Sequence, residues 1–166
     1  TISLDENNLN GTVPTEISHL SHLKWLRLSF NNLKGQIPVE LSHIKSLTDL
    51  DLGGNQFTGT IPEEIYNIST LQVLALHENK LHGTISSRIG MLVNLEFIIL
   101  YNNALSGTIT EIVGSLHKLR YLQLHFNEIS GSLPSSIDNL SSLMELALFS
   151  NRLSGSIPSG IGQLKK

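Results

Sequence analysis

The chain contains no cysteine in 166 residues. A thiol nucleophile is therefore excluded, as is any zinc site built on thiolates. No apolar run approaches the roughly 20 residues that a membrane-spanning helix needs, so direct insertion into a bilayer is not expected within this chain. Basic charge is scarce as well. Lys and Arg number 11 against 14 Asp and Glu, giving a net charge of −3 and a pI near 6.1. Without a basic stripe, neither nucleic acid nor an anionic membrane surface is expected as the main partner. The patterns G-x-S-x-G, G-x-x-x-x-G-K and G-x-G-x-x-G are all missing. Nucleophile-elbow and phosphate-loop chemistry go with them. Aromatic residues are few: five Phe, three Tyr and one Trp. Where those nine fall therefore carries information.

What the chain does have is a beat. Gly11, Gly35, Gly59, Gly83, Gly107, Gly131 and Gly155 recur every 24 residues. Asn7, Asn31, Asn55, Asn79, Asn103, Asn127 and Asn151 keep the same interval. A fixed period of this length means a stacked array rather than an ordinary globular fold. The units run 23–46, 47–70, 71–94, 95–118, 119–142 and 143–166, after a partial unit 1–22. Their shared frame is L-x-x-L-x-L-x-x-N-x-L-x-G-x-I-P-x-x-I-x-x-L-x-x.

The L-x-L alternation has period two and reads as a short strand with one buried face. One buried column runs Ile2, Leu26, Leu50, Leu74, Ile98, Leu122, Leu146. Another runs Leu4 to Leu148, and a third Leu20 to Leu164. Stacking the units pairs the strands into a parallel sheet. The Asn column suits the turn out of the strand, because a side-chain amide carries donors and acceptors for backbone groups that have left the sheet. Asn31, Asn55, Asn79, Asn103, Asn127 and Asn151 are thus assigned a structural role. The Gly column permits backbone conformations or close approaches that a side chain forbids. Pro follows in five units, but Ser86 and Thr110 replace it in two adjacent ones. A less rigid return segment is expected there.

These residues resemble the plant-type leucine-rich repeat, with its L-x-x-L-x-L-x-x-N-x-L-[ST]-G-x-I-P-x-x-[IL] frame. Receptor-like kinases, receptor-like proteins and polygalacturonase inhibitors of plants use it, and similar repeats occur in algae. The resemblance covers the whole chain and implies an α/β solenoid: a right-handed leucine-rich-repeat superhelix. It implies a concave parallel sheet, a second short strand near G-x-I-P, and short convex 3-10 or α segments. The family is one of binders, so no enzymatic activity and no cofactor are expected. Its members usually close their ends with cysteine-bearing caps. Their absence, with Ile161 and Leu164 in the last unit, leads us to expect an uncapped portion of a longer protein.

Function in such an array belongs to the positions that vary between buried leucines. Unit by unit these include Trp25 and Arg27; Asp49 and Asp51; His77 and Glu78; Phe97, Ile99 and Tyr101; Tyr121, Gln123, His125 and Phe126; and Phe149. Seven of the nine aromatic residues fall on variable strand positions, Phe30 among them; Tyr66 lies on the convex segment and Phe57 in a core column. We expect this set to form an exposed partner surface, acidic toward its N-terminal half and aromatic toward its C-terminal half. An extended peptide would set basic groups against the acidic end. Peptide-binding kinases of the family often hold a terminal carboxylate with two arginines on one strand, but the corresponding positions here, such as Ala147 and Phe149, lack them.

Other chemistry is weakly supported. His77-Glu78-Asn79-Lys80-Leu81-His82 misses H-E-x-x-H by one residue, so no metal site is assigned. His77 and His125 share a column, with Tyr101 between them, roughly 10 Å apart at the pitch of strands. Asp49 and Asp51 share a strand face but not the facing geometry of a glycosidase pair. Sequons at Asn10, Asn67 and Asn139 support the secretory pathway and an extracellular or cell-surface location. The partner expected is a peptide or protein ligand. The alternatives are a scaffold subunit of a larger complex, an inhibitor of a cell-wall hydrolase and, on the Thr60–Thr84–Thr108 column, an ice-binding surface.

Overall fold

The computed structural model describes residues 1–163. Leu164 lies outside them. Each unit makes one turn of a solenoid. Its first leg is a strand: Ile2–Ser3, Trp25–Arg27, Asp49–Asp51, Val73–Ala75, Phe97–Ile99, Tyr121–Gln123 and Glu145–Ala147. These seven form one parallel sheet in chain order. Trp25 pairs with Asp49, Asp49 with Val73, Val73 with Phe97, and Phe97 with Tyr121. Partners are always one period apart, so columns in the sequence become columns in space. The central residue of each strand points inward, and Leu26, Leu50 and Leu74 are fully buried.

The second leg forms a five-stranded sheet of Asn10–Gly11, Asn32–Gly35, Gln56–Gly59, Lys80–Thr84 and Ala104–Ser106. The pair Ser130–Gly131 and Arg152–Leu153 continues it through a Thr108–Ser130 bridge. The third leg is a 3-10 turn of five residues in every unit, from Thr15–His19 to Ser159–Gln163. No α-helix forms among the described residues. Five residues between the Pro-type position and the next buried Leu give too few propagating bonds to offset α-helix nucleation.

The Asn column forms a ladder. Asn55 Nδ2 donates to Leu52 O and Gly53 O of its own turn and to Leu28 O of the preceding one, at 3.0–3.1 Å. Its Oδ1 accepts the Leu33 N–H at 3.0 Å. The pattern recurs at Asn31, Asn79, Asn103 and Asn127. It encloses a left-handed residue. Glu6, Phe30, Gly54, Glu78, Asn102, Phe126 and Ser150, each just before an Asn, all have φ between 52° and 58°. A non-glycine residue pays about 1–2 kcal/mol there, and the amide bonds across the turn offset it. The same twist throws Phe30 and Phe126 outward, where they are half exposed.

Gly83 shows why the glycine column is fixed: φ is +82° and a Cβ would lie 2.8 Å from Thr60 Cγ2. Ser86 and Thr110 adopt the extended backbone of their proline counterparts, with φ of −64° and −84° against −65° at Pro38. Their units enclose a small apolar cavity of about 20 Å³ beside Ile85, Ile109 and Val113. Tyr66 is a core residue, 1% exposed. Its buried hydroxyl lacks a hydrogen-bond partner, and burial pushes its pKa up to about 12.

A candidate ligand-binding face on the long sheet

Three outward columns cross the seven-stranded sheet. The first reads Trp25, Asp49, Val73, Phe97, Tyr121, Glu145. The second reads Arg27, Asp51, Ala75, Ile99, Gln123, Ala147. The third, just past the strands, reads Asp5, Ser29, Gly53, His77, Tyr101, His125, Phe149. The fixed register brings most of the variable-position candidates into these columns; Glu78 and Phe126 stand one place further on, in the left-handed turn before Asn79 and Asn127.

The third column is a stack of rings. His77 and Tyr101 stack with centroids 4.8 Å apart, Tyr101 and His125 at 4.5 Å, and His125 and Phe149 at 4.4 Å. Phe30 meets His77 edge-on at 5.8 Å, and Phe126 meets Phe149 edge-on at 5.2 Å. In the first column Phe97 and Tyr121 lie 5.1 Å apart and nearly parallel, at 8°. Strand spacing near 4.8 Å matches ring-stacking distance, so same-column aromatics stack without distortion. Each ring thereby loses one or both faces, and the stack is only partly open. Phe149 remains 57% exposed, and Phe97, Tyr101 and Tyr121 are half-buried.

Two residues expected at the surface are not there. His77 is 8% exposed. Its ring fills the space that a side chain at Gly53 would occupy, 2.2 Å from the position of a Cβ. Its Nδ1 is buried without a partner, and burial holds its pKa below the usual histidine value despite the nearby charges of Asp51 and Glu78. Asp49 is also 8% exposed. It accepts from the Arg27 guanidinium at 2.8 Å and from the Thr48 hydroxyl at 2.8 Å. Arg27 in turn lies over the Trp25 ring, 5.1 Å from its centroid. Asp49 and Arg27 therefore neutralise each other, and the acidic character of this half rests on Asp5, Glu6, Asp51 and Glu78.

Between the Trp25 and Phe97 rings the face sinks into a shallow depression of about 400 Å³. Val73 and Ile99 line it, with Arg27, Gln72 and Glu96 at the rim. Gln72 and Glu96 were not singled out by the sequence. Both stand one place before a strand, where the repeat frame also lets residues vary. Ser29, also at a variable strand position, is buried, with its hydroxyl within hydrogen-bond distance of both Asp5 and Asp51. The sequons Asn10, Asn67 and Asn139 are exposed and lie off the long sheet, on the second sheet or at the ends of 3-10 turns. Asn67 Oδ1 accepts from Arg88 at 2.7 Å. Among the described residues, no group of three His, Asp or Glu gathers at metal-binding distance, and no helix is long and apolar enough to cross a membrane.

The repeat geometry defines a leucine-rich-repeat solenoid. The chain matches the model of the leucine-rich repeat region over residues 3–130, and a further leucine-rich repeat over residues 142–164. It belongs to the leucine-rich repeat family, in its plant type. A search of curated proteins found no match. Among solved structures, the chain is 40% identical to the plant peptide hormone receptor RGFR1 in complex with RGF2. The TM-score is 0.96, over 99% of this chain and 26% of that one. It is 38% identical to the ectodomain of the membrane receptor kinase GASSHO1/SCHENGEN3 of Arabidopsis thaliana in complex with CASPARIAN STRIP INTEGRITY FACTOR 2. There the TM-score is 0.94, over 97% and 19%. The Arabidopsis receptor kinase HAESA ectodomain, in complex with an IDA peptide hormone, is 35% identical with a TM-score of 0.93, over 96% and 27%. The chain thus spans about a quarter or less of each of these three chains.

Proposed function

We propose that this chain is a non-catalytic recognition module of an extracellular receptor-like protein, and that its long-sheet face binds a peptide or protein ligand. The observation that carries this reading is the aromatic surface beside the Trp25–Phe97 depression. Partly open rings on neighbouring strands give a rigid apolar floor at little conformational cost. Among the structures it resembles, RGFR1 is a peptide hormone receptor solved with RGF2 and the HAESA ectodomain was solved with an IDA peptide hormone ligand, which supports the same class of ligand here. The sequons lie off that face, so glycans at Asn10, Asn67 and Asn139 would leave it open; glycopeptide mass spectrometry of the native protein tests them.

Affinity capture from native extract, comparing wild type with Phe97→Ala/Tyr121→Ala, tests the binding role. A small secreted peptide or a receptor recovered by wild type and lost by the variant supports it. Large subunits retained equally by both would favour a scaffold that docks through another surface.

A further inference from the structure

Resting on that reading of the face, we propose that Met144 is an oxidation site that regulates it: the sulfoxide draws Arg120 off Glu96 and turns the neutral rim of the Trp25–Phe97 depression acidic. The column one place before the strands reads Gln72, Glu96, Arg120, Met144. Its backbone is locked step by step, each N–H donating to the carbonyl one unit back at 2.8 Å. Arg120 therefore has Glu96 on one side and Met144 on the other. Its guanidinium reaches three groups. Nη1 lies 3.6 Å from Glu96 Oε2, Nη2 donates to Met144 Sδ at 3.4 Å, and the group sits 5.8 Å from the centre of the Phe97 ring.

With Met144 reduced, the rim carries two compensated pairs. Arg27 answers Asp49 at 2.8 Å, and Arg120 answers Glu96 at 3.6 Å. The second is the looser tie, and its side chains are 43% and 35% exposed. Exposed pairs of this kind contribute little, so a modest competitor displaces the arginine. Lys118, which shares a hollow with Glu96, is already held to Asn94 Oδ1 at 2.8 Å.

Met144 is 48% exposed, within reach of a dissolved oxidant. Its thioether is only a weak acceptor. With hydrogen peroxide, a sulfur lone pair attacks one peroxide oxygen, the O–O bond breaks and an S–O bond forms. The other oxygen leaves as water once a proton has moved to it. Sulfur loses two electrons, peroxide gains them, and the product is methionine sulfoxide. Formed on a sulfur that already accepts from Nη2, the new oxygen takes a stronger, charge-assisted hydrogen bond from Arg120. Glu96 then stands beside Phe97 without its cation. Met91 supplies an internal control: it is 54% exposed, at the end of the turn Ser87–Met91 and off the long sheet.

The test compares Met91→Leu, Met144→Leu and Met91→Leu/Glu96→Gln before and after limited peroxide treatment, with thermal melts confirming that each folds. Peptide mass spectrometry should place an added oxygen on Met144. The Arg120 Nε–H resonance and the Phe97 ring protons should move when Met91→Leu is oxidised and stay in place in Met144→Leu. Methionine sulfoxide reductase should restore them. The binding probe is a random dodecapeptide phage library selected on both forms of Met91→Leu. Binders of the oxidised form should be enriched in lysine and arginine and should bind it about twofold to fivefold more tightly than the reduced form. Glu96→Gln should abolish that difference. No sulfoxide at Met144, an unmoved Arg120 resonance, or the same selection before and after oxidation would each overturn the switch while leaving peptide recognition standing. A library that yields no binder on either form would overturn both.

Discussion

Asn55→Ala should destabilise the solenoid by about 2–4 kcal/mol, a sum that follows from who replaces the lost amide. The three carbonyls served by Asn55 Nδ2 are not all abandoned. Leu28 O keeps the Asn31 amide at 3.1 Å, and Leu52 O keeps the Asn79 amide at 3.0 Å. Gly53 O still accepts the Phe30 N–H at 2.9 Å. The Leu33 N–H is different, because Asn55 Oδ1 is its acceptor in a buried site. Orphaning a buried donor costs about 1–3 kcal/mol, and the lost amide bonds add net terms of about 1 kcal/mol or less each because their acceptors are shared. The left-handed turn at Gly54 also loses its brace. Urea unfolding of wild type and variant measures the difference. Asn55→Asp keeps an acceptor for Leu33 but sets a carboxylate against three carbonyls, so at neutral pH it should be no better than alanine. A loss below about 0.5 kcal/mol for Asn55→Ala would refute the ladder as a stabilising element, since that is within ordinary surface-substitution scatter.

Thr110→Pro should stabilise by about 0.4–1 kcal/mol, because φ is already near the proline value and the Thr110 N–H makes no backbone bond; a lowered melting temperature would contradict this. Gly53→Ala should destabilise by about 1–3 kcal/mol, since the His77 ring already occupies the place of the new methyl. An unchanged melting temperature would show that the ring moves freely. The lowered His77 pKa has a definite sign. The unfolded chain binds the proton more tightly, so the contribution of neutral His77 is full above about pH 6.5 and shrinks as pH falls toward its folded value. Melting curves from pH 7.5 to 5 should show this loss, and His77→Phe should reduce the slope. An identical slope in the variant would refute it.

The sequence by itself determined the solenoid, its units and its buried columns. The reason is periodicity: once the offset between strands is 24 residues everywhere, equivalent positions must stack, and seven copies of the frame leave no competing register. It also placed the aromatic candidates on one face. Tertiary structure decided what those side chains are free to do. Asp49 is spent on Arg27 and His77 sinks into the gap above Gly53; both depend on the neighbouring unit, through contacts that no column of the repeat frame encodes. The depression between Trp25 and Phe97 was likewise set by packing. A repeat specifies where each side chain stands. Whether it faces solvent, a partner ion or another ring depends on which residue the next turn happens to carry.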